Sequence, residues 1–267
     1  MSLTLPPGTL GRVTRPEFLS PFLAEPDRSG LLVDFDGSLA PIIDDPEQAR
    51  PLEGVTDVLA ALVDRFGVVA VVSGRPITFL QQALPVPGLH LAGVYGMERL
   101  VDGQIEIDAG VAPWVDVLAE AAAEVRAAMP DLLIERKGDV SFVLHWRTAP
   151  EWEEKALDAG RAIAERLGLA AERGRRALEI RPPVPVDKGV AAEAILAPVD
   201  HALFAGDDLG DLRAFDALDV LLSDGRLRTA VKIAVTSPEA PAELLARADE
   251  RVDGPPGLLH LLRSLAG

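Results

Sequence analysis

Residues 31–41 read LLVDFDGSLAP, and this stretch decides the fold. An apolar run without polar alternation leads directly into Asp34, as is typical of a central parallel strand that is buried on both faces. Open α/β sheets bind ligands just beyond the carboxyl ends of such strands. Because side chains alternate along a strand, Asp34 and Asp36 are expected on one side and Phe35 on the other. Two carboxylates in so small a volume require a cation or a shared proton. An Asp-rich turn that has no catalytic or binding role would show the same local pattern.

The composition describes a chain with ample material for a packed core. Of the 267 residues, 48% are apolar, which suits one large domain or two modest ones. Cysteine is absent, so disulfides and thiolate metal sites are excluded. The net charge of −16 opposes general binding to nucleic acid or to anionic membranes. Because neither a signal-peptide pattern nor a run of about 18 apolar residues is present, we expect a cytoplasmic protein that binds neither nucleic acid nor a membrane.

The residues around the first strand predict a parallel α/β unit. Residues 54–67 carry apolar side chains at helical spacing, and residues 68–74 form a second buried strand, VVAVVSG. A strand–helix–strand unit favours parallel pairing with a right-handed crossover. A helix after Pro76, a short strand at 89–94 and an alternating edge strand at 104–108 continue the unit. The proline-rich residues 1–29 are expected to be a loosely packed lead-in.

The pattern of buried strands that alternate with helices stops at about residue 111 and resumes at about residue 183. Between these points lie an Ala-rich helix at 113–129, two strands around 137–147, a second helix at 151–167 and a hairpin-like pair. The buried pattern then resumes with a helix after Lys188, the strand HALFAG at 201–206, a helix from about Gly210, the apolar runs DVLLSDG and VKIAVTS, and two terminal helices. The prediction is a parallel α/β core formed by 1–110 and 183–267, with a smaller α+β domain, 111–182, inserted into it.

A second acidic cluster, Asp207, Asp208 and Asp211, follows the strand HALFAG. If this strand neighbours the first one, Asp207 lies opposite Asp34 at the carboxyl rim of the sheet. Hard oxygen ligands of this kind suit Mg²⁺, which takes one or two carboxylates together with a substrate phosphate. Helix capping is the alternative for such aspartates, and for Asp211 it has equal weight.

Two further polar residues, Ser73 and Lys188, are predicted at the same rim. Ser73 ends the second strand and offers a hydroxyl and a backbone N–H. Lys188 opens a helix beneath the rim, where an ammonium can pair with a phosphate. Taken singly, these are an ordinary turn serine and an ordinary surface lysine. Their order relative to the two acidic clusters is what indicates a phosphate site.

Four segments resemble, in sequence order, the motifs of the haloacid dehalogenase superfamily of phosphatases. They are Asp34-Phe35-Asp36-Gly37-Ser38, Ser73-Gly74-Arg75, Asp187-Lys188-Gly189, and Gly206-Asp207-Asp208 with Asp211. Within that superfamily the chain resembles the trehalose-6-phosphate phosphatases, on the residues 95–98 (YGME), 135–147 (ERKGDVSFVLHWR) and 178–189 (LEIRPPVPVDKG). The resemblance implies a Rossmann-like core with an inserted cap domain, and a phosphoric monoester hydrolase of trehalose biosynthesis.

The chain departs from the family pattern at three places. Ser38 stands where the family usually has Thr, which keeps the hydroxyl, and Leu212 follows Asp211 where an acidic residue is common. The segment from Lys137 to His145 is one residue longer than usual, which predicts a β-bulge and leaves the orientation of the strand around Lys137 open.

The resemblance also implies a role for each matching residue. Asp34 is the expected nucleophile, and Asp36 the expected acid and base. The expected Mg²⁺ ligands are Asp34, the backbone carbonyl of Asp36, and Asp207, with Asp208 or Asp211 acting through water. The phosphoryl group is expected on Ser73, Gly74 and Lys188, and the sugar hydroxyls on Glu98, Glu135, Lys137 and Glu179.

Some roles and some functions remain open at the level of sequence. Glu135 and Lys137 could instead be a solvated strand pair, and for His145 and Arg147 a packed or ion-paired role is at least as well supported as ligand binding. The substrate could be another sugar phosphate, such as that of sucrose or glucosylglycerol, and a phosphomutase is the alternative reaction. The intact set of charged residues argues against a silent sensor. Coupling to a trehalose-phosphate synthase would follow if the resemblance holds.

Overall fold

The computed structural model describes residues 16–43, 46–174 and 176–267. The strands are β1 Ser29–Val33, β2 Val68–Val72, β3 His90–Gly93, β4 Glu98–Val101, β5 Gln104–Ile107, β6 Leu133–Lys137, β7 Ser141–His145, β8 Ala170–Gly174, β9 Ala177–Arg181, β10 His201–Gly206, β11 Thr229–Thr236 and β12 Glu250–Asp253. The helices are α1 Ser20–Ala24, α2 Val55–Val63, α3 Ile77–Ala83, α4 Val115–Ala128, α5 Glu153–Leu167, α6 Lys188–Ile195, α7 Leu212–Ser223, α8 Ala242–Arg247 and α9 Gly254–Ala266.

The larger of two sheets has eight strands in the order β12-β11-β10-β1-β2-β3-β4-β5. Neighbours from β12 to β3 are parallel, and β4 and β5 add an antiparallel edge. The first strand lies between β2 and β10, and each of its residues is buried, as its apolar sequence predicts. The predicted α/β class with a parallel-rich central sheet is confirmed.

Helices cover both faces of this sheet and create two apolar layers. One layer packs α2, α3 and α9 against the sheet, and the other packs α6, α7 and α8 against it. Leu19 and Phe22 are fully buried in the first layer, and the carbonyl of Pro26 accepts a hydrogen bond from Gly67 N–H at 3.0 Å. The expectation of a loose lead-in is therefore wrong for residues 16–29, because its apolar side chains complete the core. Residues 1–15 lie outside the described residues.

The second sheet has four antiparallel strands in the order β6-β7-β9-β8. One face packs on α4 and α5 through buried residues such as Phe142, Leu144 and Ile180. The other face is mainly polar, and it carries the odd-numbered residues of β6, β7 and β9. A small apolar cluster, which includes Met97, Val111 and Val140, joins this sheet to the larger one.

Three local predictions need correction. The predicted bulge is wrong, because β6 and β7 pair in regular register from Leu133–His145 to Lys137–Ser141, and the extra length is taken up by the turn 138–140. The run DVLLSDG is not a separate strand-like segment, since most of it forms the end of α7. The short strands β4 and β12 were not predicted, because both are partly exposed edge elements with little apolar signal. Along the part of the chain that the structure describes, no helix is both long and apolar enough to cross a bilayer.

Candidate active site

The carboxyl ends of β1, β2 and β10 and the start of α6 meet at one edge of the large sheet. Val33 pairs with Ala205, and Asp34 N–H donates to the Ala205 carbonyl at 2.9 Å, so the two acidic clusters lie side by side as predicted. This edge opens into a cavity of about 820 Å³. Its lining includes the predicted residues Asp34, Asp36, Ser73, Gly74, Lys188, Asp207 and Asp208.

Lys188 is a buried cation between two carboxylates, and is not a surface lysine. Its Nζ lies 2.8 Å from Asp34 Oδ1 and 2.6 Å from Asp211 Oδ1, and the residue is 3% exposed. Asp187 caps the helix that begins at Lys188 by accepting N–H groups from the first turn. Burial alone would lower the pKa of Lys188, but Asp34 and Asp211 together raise it well above its ordinary value. The ammonium is therefore charged at neutral pH.

Asp211 holds the second acidic loop in place. Its Oδ2 accepts the N–H groups of Asp207 at 2.9 Å and Asp208 at 3.0 Å, while its Oδ1 accepts Lys188. Asp208 in turn caps the short helix that follows it, since its Oδ1 accepts the N–H groups of Gly210 and Asp211. The capping alternative is thus realised for both residues. Their side chains orient the loop that presents Asp207.

The carboxylates at this edge require positive charge. One oxygen each of Asp34, Asp207 and Asp211 lies within 4.8 Å of the others. Burial raises the pKa of Asp207 to about 7, with Asp211 and Asp208 adding to the shift. Burial also raises the pKa of Asp34, while Lys188 opposes that shift. Because Asp211 already accepts three donors, Asp34 and Asp207 are the carboxylates that best fit a divalent cation, and a donor set of oxygens alone fits Mg²⁺.

Ser73 and Gly74 form a narrow corner of the cavity. Ser73 N–H donates to the Ala92 carbonyl at 2.9 Å, which fixes this end of β2 against β3. A Cβ at Gly74 would lie 2.9 Å from the ring of Tyr95, so any larger residue would require that ring to move. Ser73 and Gly74 thus line the same cavity as Asp34 and Lys188.

Asp36 is held by a neighbour for which the sequence indicated no role. Arg75 Nε donates to Asp36 Oδ2 and Arg75 Nη2 to Asp36 Oδ1, both at 2.7 Å. The ion pair lies at the wall of the cavity, where about a third of the Asp36 side chain is exposed. A bidentate pair of this kind fixes the orientation of the carboxylate.

The polar face of the four-stranded sheet brings together Glu135, Lys137 and Glu179. Lys137 Nζ lies 3.7 Å from Glu179 Oε1, and Ser141 Oγ donates to the same oxygen at 2.9 Å. His145 Nε2 lies 2.7 Å from Glu135 Oε2, and this hydrogen bond is the largest cause of the lowered pKa of Glu135. These residues, apart from Ser141, line a cavity of about 300 Å³. The predicted face is therefore formed, with His145 as a hydrogen-bonding partner of Glu135 in it.

Tyr95 and Arg147 connect that polar face with the acidic rim. Lys137 Nζ lies 5.3 Å from the centre of the Tyr95 ring, a cation–π contact. Tyr95 also lines the large cavity, as does Arg147, which follows β7 and is exposed. Both are residues to which the sequence assigned no role. The run Tyr95-Gly96-Met97-Glu98 was a signal for Tyr95, but only the tertiary structure shows which members of the run face the site.

Glu98 does not join the other predicted sugar-binding residues. Its Oε2 accepts Ile77 N–H at 2.9 Å, and the side chain is buried beneath Gly138. Burial raises the pKa of Glu98, the Ile77 N–H opposes this shift and Asp139 adds to it. Glu98 lines neither cavity, and in this arrangement it caps the first turn of α3.

The family model for trehalose-phosphatase matches residues 32–244, a range that contains both acidic clusters and the polar face. The chain belongs to the trehalose-phosphatase family. A trehalose-phosphate phosphatase from Mycobacterium marinum is 31% identical over 243 residues, which cover 82% of this chain and 61% of that protein. Another relative in the same range of similarity is a Mycobacterium tuberculosis protein described as an uncharacterized glycosyl hydrolase, 33% identical over 204 residues that cover 72% of this chain and 15% of that protein.

The chain thus spans less than two thirds of the length of these two relatives. A solved structure of a trehalose-6-phosphate phosphatase related protein superposes with a TM-score of 0.72 and 24% identity, and covers 88% of this chain and 96% of that one. At that identity the likeness concerns the fold. The two proteins therefore share a fold over most of this chain.

Proposed function

We propose that the chain is a Mg²⁺-dependent phosphatase that hydrolyses trehalose 6-phosphate to trehalose and phosphate through an aspartyl-phosphate intermediate. The observation that carries the proposal is the buried ammonium of Lys188 against Asp34, beside Asp207, in a cavity that Tyr95 and Arg147 also line. Family membership and the name of the Mycobacterium marinum relative support the choice of substrate.

In the first step an oxygen of Asp34 would attack phosphorus while the bond from phosphorus to the sugar oxygen breaks. Lys188, the Ser73 hydroxyl and the backbone near Gly74 would hold the phosphoryl oxygens. Asp36 would donate its proton to the departing sugar oxygen, so that trehalose leaves as a neutral alcohol. The enzyme is then an aspartyl phosphate with Asp36 ionised.

In the second step a water molecule would attack the same phosphorus. Asp36 would take a proton from that water, and the bond between phosphorus and the Asp34 oxygen would break. Phosphate leaves, Asp34 is a carboxylate again, and Asp36 is protonated for the next turnover. Asp34, the Asp36 backbone carbonyl and Asp207 would hold Mg²⁺, with Asp208 acting through water; when bound, the ion supplies charge neutralisation between the carboxylate and the phosphoryl oxygens.

The substrate disaccharide would be recognised by the cap, for which we propose the boundaries 111–182. Glu135 and Glu179 would accept hydrogen bonds from sugar hydroxyls, and Lys137 would donate them. The polar face that carries them is directed away from the apolar face on α4 and α5, and Tyr95 links it to the rim. A sugar-binding role for Glu98 remains part of the proposal, but it would require the carboxylate to release Ile77 N–H.

A cytoplasmic location and a coupling to a trehalose-phosphate synthase also belong to the proposal. Both would follow from a role in trehalose biosynthesis. Cell fractionation tests the location, and co-purification with the synthase tests a physical coupling.

Phosphate release from a panel of sugar phosphates tests the proposed reaction. The panel contains trehalose 6-phosphate, sucrose phosphate, glucosylglycerol phosphate and glucose 6-phosphate, each with Mg²⁺ and with a chelator. We expect the highest kcat/KM for trehalose 6-phosphate, and loss of turnover with the chelator that added Mg²⁺ restores. A faster reaction with another sugar would contradict the substrate, and isomerised sugar phosphate without free phosphate would indicate a mutase.

A further inference from the structure

We infer that Arg75 is a positioning residue for Asp36, held on an aromatic platform so that one carboxylate can serve as acid and then as base. The inference rests on the proposed function, because it assumes that Asp36 exchanges protons with the sugar oxygen and with water. It assigns to Arg75 an action on the reaction through Asp36 rather than on the phosphoryl group.

The contact between the two residues constrains Asp36 fully. The guanidinium donates from Nε and Nη2 to the two different oxygens of Asp36, each at 2.7 Å. Each carboxylate oxygen keeps a further lone pair, and about a third of the Asp36 side chain is exposed. The planar fork of arginine matches the carboxylate plane, whereas an ammonium cannot hold both oxygens in one geometry. Arg75 therefore fixes the plane of Asp36 and leaves room for a third partner.

Arg75 itself is fixed by stacking. Its guanidinium carbon lies 4.6 Å from the centre of the Phe79 ring, and that ring meets Phe35 edge to face at 5.5 Å between centres. Phe35 is fully buried and lies between Asp34 and Asp36 in the chain. The contacts form a closed circuit from Phe35 to Phe79, to Arg75, to Asp36 and back to Phe35 along the backbone. Asp36 is thus held from both its side chain and its neighbour in sequence.

The backbone of Arg75 is held as firmly as its side chain. Its N–H donates to Ser73 Oγ at 3.2 Å, and its carbonyl accepts Val94 N–H at 2.9 Å. Two residues later, Ile77 N–H donates to the buried Glu98 carboxylate. The side chain of Arg75 therefore extends from a backbone that hydrogen bonds hold on both sides.

Leaving-group dependence distinguishes this role from a structural one. We would measure kcat/KM for trehalose 6-phosphate and for aryl phosphates of graded leaving-group pKa, with Asp36→Asn, Arg75→Ala and Arg75→Lys. A poor leaving group needs the proton of Asp36, and misplacing a reacting group by about 1 Å can cost about 100-fold. We expect Arg75→Ala to lose about 10- to 100-fold with trehalose 6-phosphate and progressively less with better leaving groups. Arg75→Lys should behave like Arg75→Ala.

A matched arginine provides the control. Arg65 lies 5.8 Å above the Phe66 ring and donates to the Leu265 carbonyl, away from the cavity. Arg65→Lys should leave the leaving-group dependence unchanged. Phe79→Leu removes the platform while keeping both charges, and we expect a smaller loss with the same dependence on the leaving group. This second variant keeps the inference testable if Arg75→Ala folds poorly.

The double variant Asp36→Asn/Arg75→Ala separates the inference from the proposed function. Because Arg75 acts through Asp36, the double variant should lose no more kcat/KM than Asp36→Asn alone. If Asp36→Asn shows no leaving-group dependence, the acid role in the proposed function fails. If Asp36→Asn shows it but the Arg75 and Phe79 variants lose equally on all substrates, or the losses add, the inference is overturned.

Discussion

At the scale of single residues, Asp34 shows how one buried side chain acquires two tasks. It pairs with Lys188 at 2.8 Å, and its neighbours Asp207 and Asp211 make the surroundings strongly anionic. In the proposed mechanism the same carboxylate both attacks phosphorus and binds a cation. Lys188 keeps its second partner, Asp211, if Asp34 is neutralised.

We expect Asp34→Asn to abolish turnover and to leave the fold intact. The amide keeps the size of the side chain but cannot act as a nucleophile, so the rate should fall by about 10⁴-fold or more. Phosphate release from the purified variant measures the loss, and circular dichroism with a melting curve verifies the fold. More than trace activity in a folded preparation would refute the nucleophile assignment.

Gly138 is a second residue with a specific structural demand. Its φ is +58°, and a Cβ there would overlap Glu98 Oε1. Glu98 cannot easily withdraw, because its other oxygen holds Ile77 N–H. Gly225 is a matched control, since it has φ +71° and a Cβ there would meet nothing within 4 Å.

We expect Gly138→Ala to lower the free energy of unfolding more than Gly225→Ala does. The left-handed backbone alone costs about 1–2 kcal/mol in each variant. The clash with Glu98 should add about 1–3 kcal/mol only at Gly138. Urea unfolding measures the free energy of unfolding of both variants. Equal losses would show that Glu98 moves aside at little energetic cost.

At the scale of elements, the four-stranded sheet separates packing from recognition by the alternation of its strands. Even-numbered residues of β7 pack on α4 and α5, and odd-numbered residues face the polar cavity. Arg136 in β6 is therefore a control for its neighbours Glu135 and Lys137, because it lies on the same strand with its side chain on the opposite face.

We expect Glu135→Ala, Lys137→Ala and Glu179→Ala each to lower kcat/KM for trehalose 6-phosphate by about 10- to 100-fold. A hydrogen bond to a charged group contributes about 1.5–3 kcal/mol, and this binding energy helps to position the phosphate. A small aryl phosphate does not reach these residues, so its hydrolysis should change little, and Arg136→Ala should affect neither substrate. Equal losses on both substrates would instead mean that these residues support the fold or the rim.

At the scale of the whole molecule, the proposed function requires residues of both sheets to bind one substrate. The rim residues lie on the large sheet, while the polar face lies on the small one, and the contact between Lys137 and Tyr95 links the two. A disaccharide phosphate that contacts both sets would be enclosed between the sheets, which also excludes water from the reacting phosphorus.

We expect the cap to close on a substrate-like inhibitor. Small-angle scattering should then give a smaller radius of gyration with the inhibitor and Mg²⁺ than without them, and phosphate alone should have a weaker effect because it contacts only the rim. Superimposable profiles that already fit a closed particle would contradict a moving cap.

A charge network remote from the site should contribute to stability in a pH-dependent way. Asp219 accepts Lys232 Nζ at 2.6 Å and Arg247 Nη2 at 2.9 Å, which ties α7 to β11 and α8. Burial opposes the shift, but these two cations lower the pKa of Asp219 below its ordinary value. A lowered folded pKa gives stability that is complete above the unfolded pKa of about 3.9 and is lost as pH falls through the lower folded value.

We therefore expect Asp219→Asn to destabilise the protein by about 0.5–1 kcal/mol at pH 7. The difference from the wild type should vanish as pH falls through the folded pKa, because the wild-type carboxyl is then also uncharged. Urea unfolding across this pH range measures it. Asp224, an exposed aspartate near the end of α7, is the control position. A constant difference at all pH values would show that packing, rather than charge, causes the effect.

Local sequence patterns determined the core elements of this protein. Buried parallel strands need apolar side chains on both faces, so β1, β2 and β10 were evident from composition alone, and the acidic residues at their ends followed in register. The order of these segments was sufficient to predict the rim, the α/β class and the family resemblance. Lys188, Ser73 and Asp207 were therefore evident as rim residues from the order of the motifs along the chain.

Only the tertiary structure decided which polar side chains face one another. The pairing of Arg75 with Asp36 joins residues 39 positions apart, and the burial of Glu98 against Ile77 depends on how α3 meets β4. Neither contact can be recognised from the periodicity of the sequence, because each involves single side chains rather than residues that recur along one face of a helix or strand. The prediction of a loosely packed lead-in failed for the same reason. Leu19 and Phe22 are too few to form a periodic pattern, and their burial depends on the core against which they pack.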